Sequence, residues 1–294
     1  MQLIYLDLES DRPQFIEDPT FNVIPNIEDF IDADFDFLDE DEIDVAINCQ
    51  ETGKIATGVK MRLYIIRHAD PDYANRTITP QGHLEAEALA DRLASQGLDR
   101  IYSSPLGRAI HTAQYTVDRM EMGYQVEDWI QEASLMLEDP SKGQIWAWDL
   151  AREMRLRGEI LVTTHQDWYH QPPFDEPMFR QYFHSLVQES DRFLANHGYV
   201  REDRRYRVVE SNQQQIALFC HGGFGLIWIA HLLEVPVPMM WSSFFLAPSS
   251  VTTILFDERS DQWAVPRCIG LADVSHLYQA GLPVQPSGIK ANFY

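Results

Sequence analysis

Leu63-Tyr64-Ile65-Ile66 is a continuous apolar run that stops at Arg67-His68. Such a run predicts a short strand buried on both faces, the usual state of a parallel strand inside an α/β domain. Thr79-Pro80 then signals a helix start, with Thr as N-cap and Pro in the first turn. Ala86, Leu89, Ala90 and Leu93 recur at helical spacing, and Gly97 ends the helix. Leu98 to Ser103 predicts a second short strand. Ser104-Pro105 repeats the start signal, with Ala109, Thr112, Ala113 and Thr116 on the inner face of the helix that follows. Later, Ile216 to Cys220 predicts a strand, a glycine turn and a helix over 223–233, and two strands follow at Ser250–Phe256 and Trp263–Ile269. Strands alternating with helices predict an α/β domain with a mostly parallel central sheet.

Between about 138 and 210 the rhythm is lost. An aromatic loop, Trp168-Tyr169-His170, precedes Pro172-Pro173. A long amphipathic helix then carries Phe179, Phe183, Leu186 and Phe193 on one face, ending at Gly198. The stretch reads as a cap-like insertion over the sheet edge. Ile216 to Leu233 has no Asp, Glu, Lys or Arg, long enough to raise the question of a membrane span. Its glycines and two histidines favour strand, turn and helix instead.

Composition changes the picture mainly at the N-terminus. Of the net charge of −22 over 294 residues, residues 1–60 hold 16 acidic and 3 basic residues, a net −13. This predicts an acidic N-terminal extension, partly disordered or a small add-on, before a domain over 61–294. The run Asp32 to Asp44 mimics the start of a calcium loop, but Phe37 stands where that loop needs Gly and Ile43 where it needs Glu. The expected role is a solvated tail or a docking segment for a protein partner. A weak hairpin is expected near 43–59, and Met61 is a plausible start for the downstream domain. The acidity argues against nucleic acid as a partner. Three cysteines, Cys49, Cys220 and Cys268, and no basic leader at Met1 suggest reduced thiols and a cytoplasmic setting.

The candidate chemistry sits just after strands or in first helical turns: Arg67-His68, Arg108, Glu132 and His221. Parallel strands bring such positions to one sheet edge. Two guanidinium forks, two imidazoles and a helix N-terminus suit a dianionic phosphoryl group. A neutral imidazole can attack phosphorus. A second imidazole, expected to be protonated by an anionic neighbourhood, can stabilise the equatorial oxygens. Glu132, after Trp129-Ile130, could protonate the leaving oxygen and then activate water if burial raises its pKa.

Three segments together, Arg67-His68-Ala69-Asp70, Tyr102-Ser103-Ser104-Pro105-Leu106-Gly107-Arg108-Ala109 and Leu218-Phe219-Cys220-His221-Gly222-Gly223, resemble the histidine phosphatase superfamily, which includes the phosphoglycerate mutases. The resemblance runs from 61 to about 290. It implies a three-layer α/β/α sandwich and His68 as nucleophile. It implies Arg67, Arg108 and His221 as phosphate ligands and Glu132 as acid, without metal or cofactor. The expected substrate is a small phosphorylated molecule, with no membrane partner. Two departures bear on activity. The usual Arg-His-Gly-Glu is Arg-His-Ala-Asp here, and the Asn that mutases carry six residues after the nucleophile is replaced by Ala74, with Asn75 one further on. Hydrolysis is therefore the first expectation. A mutase-like phosphotransferase, or a non-catalytic phospho-ligand binding or scaffold protein docking through its acidic N-terminus, are the alternatives. Arg76 is a candidate substrate contact. His165 and His170 could line a pocket; His83, His111, His184, His197 and His231 read as helix-surface or packed residues. Cys220 reads as a buried strand thiol and Ser249-Ser250 as a turn or cap. Asp273 to Tyr278 resembles a bacterial subgroup of the superfamily.

Overall fold

A computed structural model describes residues 60–139, 141–159, 163–258, 260 and 262–289, together with the backbone of Ile4, Tyr5, Gln14 and Phe15. The chain divides into two units, Met1–Thr57 and Gly58–Tyr294. In the first, β1 (Ile4–Tyr5) and β2 (Gln14–Phe15) pair antiparallel. The acidic run 32–44, the hairpin expected near 43–59 and Cys49 lie outside the described residues.

The second unit runs β3 (Arg62–Arg67), β4 (Pro71–Asp72), β5 (Thr77–Ile78), α1 (Pro80–Gln96), β6 (Arg100–Ser103), α2 (Gly107–Met120), β7 (Gln125–Val126), β8 (Met136–Asp139), β9 (Gly143–Trp146) and α3 (Ala147–Leu156). It continues with α4 (Pro177–Ala195), β10 (Tyr199–Glu202), β11 (Arg205–Val208), β12 (Gln215–Cys220), α5 (Gly222–Leu233), α6 (Val237–Ser243), β13 (Val251–Glu258), β14 (Trp263–Asp273) and α7 (Ser275–Gln279). The α1 signals act as read: Thr79 Oγ1 accepts from Gly82 N, and Gly97 closes the helix at φ 77°. Helix α2 starts at Gly107, two residues beyond Pro105, which still leaves Arg108 in its first turn.

Eight strands form the central sheet in the order β10-β11-β14-β13-β3-β12-β6-β7. The fold class is α/β as expected, and the sheet is mixed. The four strands β3, β12, β6 and β7 are parallel; β13, β14, β11 and β10 add on antiparallel. Strand direction is invisible to a local apolar pattern, so β13 and β14 read like the parallel strands before them. The side chains of β3 alternate between two layers. Leu63 and Ile65 pack with Ile216, Leu218, Phe224 and Trp228, whereas Tyr64 and Ile66 pack with Leu89, Leu93, Ala113 and Phe219. A sheet buried on both faces by helices explains why these strands read as unbroken apolar runs.

The region from 138 to 210 contains more regular structure than its sequence suggests. Strands β10 and β11 extend the central sheet, although Tyr-Val-Arg-Glu and Arg-Tyr-Arg-Val look too charged to be strands. Edge strands carry such charge routinely. The uncharged stretch 216–233 is β12 plus the 12-residue α5, and among the described residues no helix is long and apolar enough to cross a membrane.

Candidate active site

Register fixes the centre of the site. Cys220 is paired with Arg67 across β12 and β3, and Phe219 with Ser103 across β12 and β6. Strands β3 and β12 therefore end level and β6 one residue earlier, and the next residues, His68, His221 and Ser104, emerge close together. The main chain continues the ladder there: His68 N donates to Cys220 O at 2.9 Å and Ser104 N to Phe219 O at 2.9 Å. The two imidazoles face each other with ring centroids 5.2 Å apart. His68 is 1% exposed and His221 0%.

His68 Nδ1 lies 2.7 Å from Ala69 O. A carbonyl only accepts, so Nδ1 carries the proton and Nε2 keeps the lone pair. The backbone holding this geometry is tied down on both sides. Ala69 N donates to Thr112 Oγ1 at 3.0 Å, and Ser249 N donates to His68 O at 3.1 Å. Burial, reinforced by Arg67 and His221, holds the His68 pKa well below the usual imidazole range. His221 Nε2 lies 2.8 Å from Ser104 Oγ. The expectation that His221 is protonated by anionic neighbours is corrected here: burial first, then Arg108 and Arg67, push its pKa well down. Its charged neighbours are cations.

Arg67 Nη1 donates to Leu246 O at 2.6 Å, and its guanidinium lies over the Phe245 ring at 5.7 Å. Arg108 lies over Tyr73 at 5.5 Å. Helix α2 comes close to the β4–β5 turn, where a Cβ on Gly107 would stand 2.3 Å from Arg76 O. Three buried nitrogens in this cluster have no hydrogen-bond partner: Arg67 Nε, Arg108 Nε and His221 Nδ1. Buried unpaired donors are costly, and the acceptor oxygens of an anion are the partners that guanidinium and imidazole N–H groups suit.

Glu132 enters from the loop after a 3-10 turn at Asp128–Ile130 and closes the N-terminus of α5. It accepts from Phe224 N at 2.8 Å, Gly223 N at 3.2 Å and Ala133 N at 3.0 Å. Burial raises its pKa, opposed by those three N–H donors and by Arg67. Glu132 and Arg67 line a common cavity of about 270 Å³ with Tyr73, Trp146, Trp148 and Phe245.

Other expectations fall elsewhere. Asp70 accepts from Thr79 Oγ1 at 2.8 Å and from Ser287, so it anchors a helix cap rather than the phosphoryl pocket. Asn75 Nδ2 donates to Asp72 Oδ2 at 2.7 Å in an exposed turn. Arg76 is exposed at φ 56° and does not line the cavity. His165 is packed against Phe183 and His231, away from that cavity. Burial pushes the Cys220 thiol far up, as suits a strand thiol. Among the described residues no group of three or more His, Cys, Asp or Glu could hold a metal ion. Ser104, Tyr73, Trp146, Trp148 and Phe245 were not anticipated. Only Ser104 left a signal, its place inside the second motif.

Imidazole stands against imidazole at the end of parallel strands with two guanidiniums close by, donors of the kind that suit an oxygen-rich anion. Residues 63–142 match the family model of the histidine phosphatase superfamily (branch 1). That segment carries Arg67, His68, Arg108 and Glu132, and the fold adds His221. Across 82 residues the chain is 34% identical to "Putative phosphoserine phosphatase 2" of Hydrogenobacter thermophilus, and it spans 40% of that relative's length. The fold is shared with mycobacterial hydrolase 2 at a TM-score of 0.50 and 17% identity, covering 75% of this chain and 96% of that one. A phosphoserine phosphatase from Entamoeba histolytica aligns over 74% of this chain and 99% of its own, at 19% identity and a TM-score of 0.47.

Proposed function

We propose that the chain hydrolyses phosphomonoesters through a phosphohistidine at His68. The observation that carries this reading is the set of three unpartnered buried nitrogens, on Arg67, Arg108 and His221, beside an imidazole whose tautomer leaves Nε2 free. In the first step Nε2 attacks phosphorus, and the bond from phosphorus to the ester oxygen breaks. The leaving oxygen takes a proton from Glu132. In the second, water attacks the phosphohistidine, Glu132 takes the proton back, and inorganic phosphate leaves with His68 restored. Arg67 and Arg108 neutralise the phosphoryl oxygens throughout. With Ser104 donating to Nε2, His221 presents Nδ1–H to the same oxygens, neutral in the free protein and able to gain a second proton once a dianion is bound. Each charge in the cycle is met by a side chain, so chelators should not affect turnover.

The test is phosphate release from a panel of esters with chelator present, alongside His68→Ala. Turnover should fall by at least ~10³-fold in the variant. Wild-type protein quenched in acid and base should show an acid-labile, base-stable phosphoryl adduct on residue 68. Equal turnover without that imidazole would end the proposal. Interconversion of 2- and 3-phosphoglycerate without phosphate release would favour the mutase-like alternative; the engagement of Asn75 with Asp72 speaks for hydrolysis.

A further inference from the structure

Phosphoryl transfer makes no use of the aromatic side chains that line the cavity Arg67 and Glu132 share. Trp146 and Trp148, from the start of α3, stack face to face with centroids 4.9 Å apart and planes within 5°. Trp148 reaches the turn that Glu132 caps. A Cβ on Gly223 would stand 2.5 Å from Trp148 Cζ3 and 2.7 Å from Glu132 Oε1. The indole edge and the carboxylate therefore converge on one point. A leaving group whose oxygen faces Glu132 must lie along Trp148. Phe245 and Tyr73 close the cavity from the Arg67 and Arg108 sides. The polar residues on this wall are already engaged. Arg152 donates through Nε to Trp241 O at 3.1 Å and through Nη1 to Asp149 Oδ1 and Gly288 O at 3.3 Å each. A carboxylate-bearing leaving group such as glycerate would meet Asp149 and an arginine bound to protein acceptors. A flat ring would meet the aromatic side chains of Trp148, Phe245 and Tyr73, with Trp146 stacked behind Trp148.

We infer that the leaving-group side of the site is an aromatic box that selects phosphomonoesters whose alcohol carries a flat ring. The inference rests on the phosphatase reading for its turnover test, and a binding test stands apart from it. Benzyl phosphate and ethyl phosphate leave from the same kind of oxygen and differ in the ring. The ratio of their kcat/KM should be about 10 or more in favour of benzyl, carried by KM. In Trp148→Ala the ratio should fall to about 1, while Trp148→Phe keeps most of it; circular dichroism melts confirm that both variants fold. A wild-type ratio near 1, or one that survives Trp148→Ala, overturns the inference and leaves the phosphatase reading standing. If no ester is turned over, that reading fails, and indole fluorescence of the His68→Ala protein decides the box. Benzylphosphonate binding ten times more tightly than methylphosphonate supports it, and equal affinities overturn it.

Discussion

Two sides of the candidate site, the phosphoryl wall around His68 and the aromatic wall of the cavity that Arg67 and Glu132 share, are built from different parts of the chain by different physics. The phosphoryl wall comes from strand ends and one helix start. Its groups are charged or polar, nearly inaccessible except for the half-buried Arg108, and mostly held by the ladder of β3, β12 and β6. The leaving-group wall comes from β9, α3 and the segment around Phe245. Its rings are apolar, half-buried and held by stacking. Chemistry needs atoms placed to a fraction of an ångström, which adjacent strand ends supply at little conformational cost. Selectivity needs only a surface of the right shape, and a helix at the cavity rim can supply that. Damage to the first wall should therefore remove turnover for every ester, and damage to the second should change only which esters are preferred.

The largest test falls on the residue that touches both walls. Glu132→Gln keeps an oxygen for the α5 N–H groups but has no proton to give. It should lower kcat by ~10²–10⁴-fold for alkyl esters, and far less for p-nitrophenyl phosphate, whose leaving group needs no acid. The same variant tests the pH profile. His68 must be neutral to attack, so activity is lost as pH falls through its depressed pKa. Glu132 must be protonated to donate, so activity is lost as pH rises through its raised pKa. The profile of kcat/KM should therefore have an acidic limb set by His68 and a basic limb set by Glu132, and Glu132→Gln should erase only the basic limb. Comparing the two proteins on one ester cancels the substrate's own titration.

Next in size is Arg108→Leu. It removes a half-buried cation that forms no ion pair among the described residues, so its cost should be catalytic: about 10²–10³-fold in kcat/KM for every ester alike, with Tm nearly unchanged. A substrate-dependent loss would mean that the two walls are not separable. Smaller again is Trp146→Ala. This indole backs Trp148 across the stack, so its loss should lower the preference for ring-bearing esters by a few-fold and leave the pH limbs in place.

The same division decides what could be read in advance. Arg67, His68 and His221 each follow an apolar run directly, so the local pattern carries both the strand and the residue it delivers. Register then does the rest, because parallel strands of similar length end level. The aromatic wall has no such signature. Ile145-Trp146-Ala147-Trp148 reads as ordinary core, and only the approach of α3 to the α5 turn exposes two indoles beside Glu132. The antiparallel half of the sheet was equally hidden. The direction of β13 is set by its long-range pairing with β3, and the helix expected from Ser104-Pro105 begins at Gly107. The protonation of His221 was misjudged for a related reason. The acidic composition is concentrated in residues 1–60, whereas the cations that face the ring are placed by the fold.

The smallest effect concerns what stands behind the phosphoryl wall. Ser249 takes φ 56°, costly for a non-glycine, while its N–H holds His68 O and its Oγ lies 3.1 Å from His276 Nε2. Burial is the main reason that His276 has its pKa lowered to about 4, with Arg92 adding and Asp273 opposing. A folded-state pKa below the unfolded value means that the unfolded chain binds more protons between pH 6.5 and about 4. The stability contributed by this pair is therefore fully present above pH 6.5, falls through that window, and levels off below it, by up to about 3 kcal/mol. His165, also lowered to about 4 by burial but packed far from the cavity, adds a parallel loss over the same window. Urea midpoints measured across that range should flatten in His276→Gln and in His165→Gln alike. Only the first should also raise the pH at which residual wild-type-like turnover fails, because only that imidazole leans on the backbone of His68. An identical activity profile in the two variants would show that the buttress supports the fold and not the phosphoryl wall.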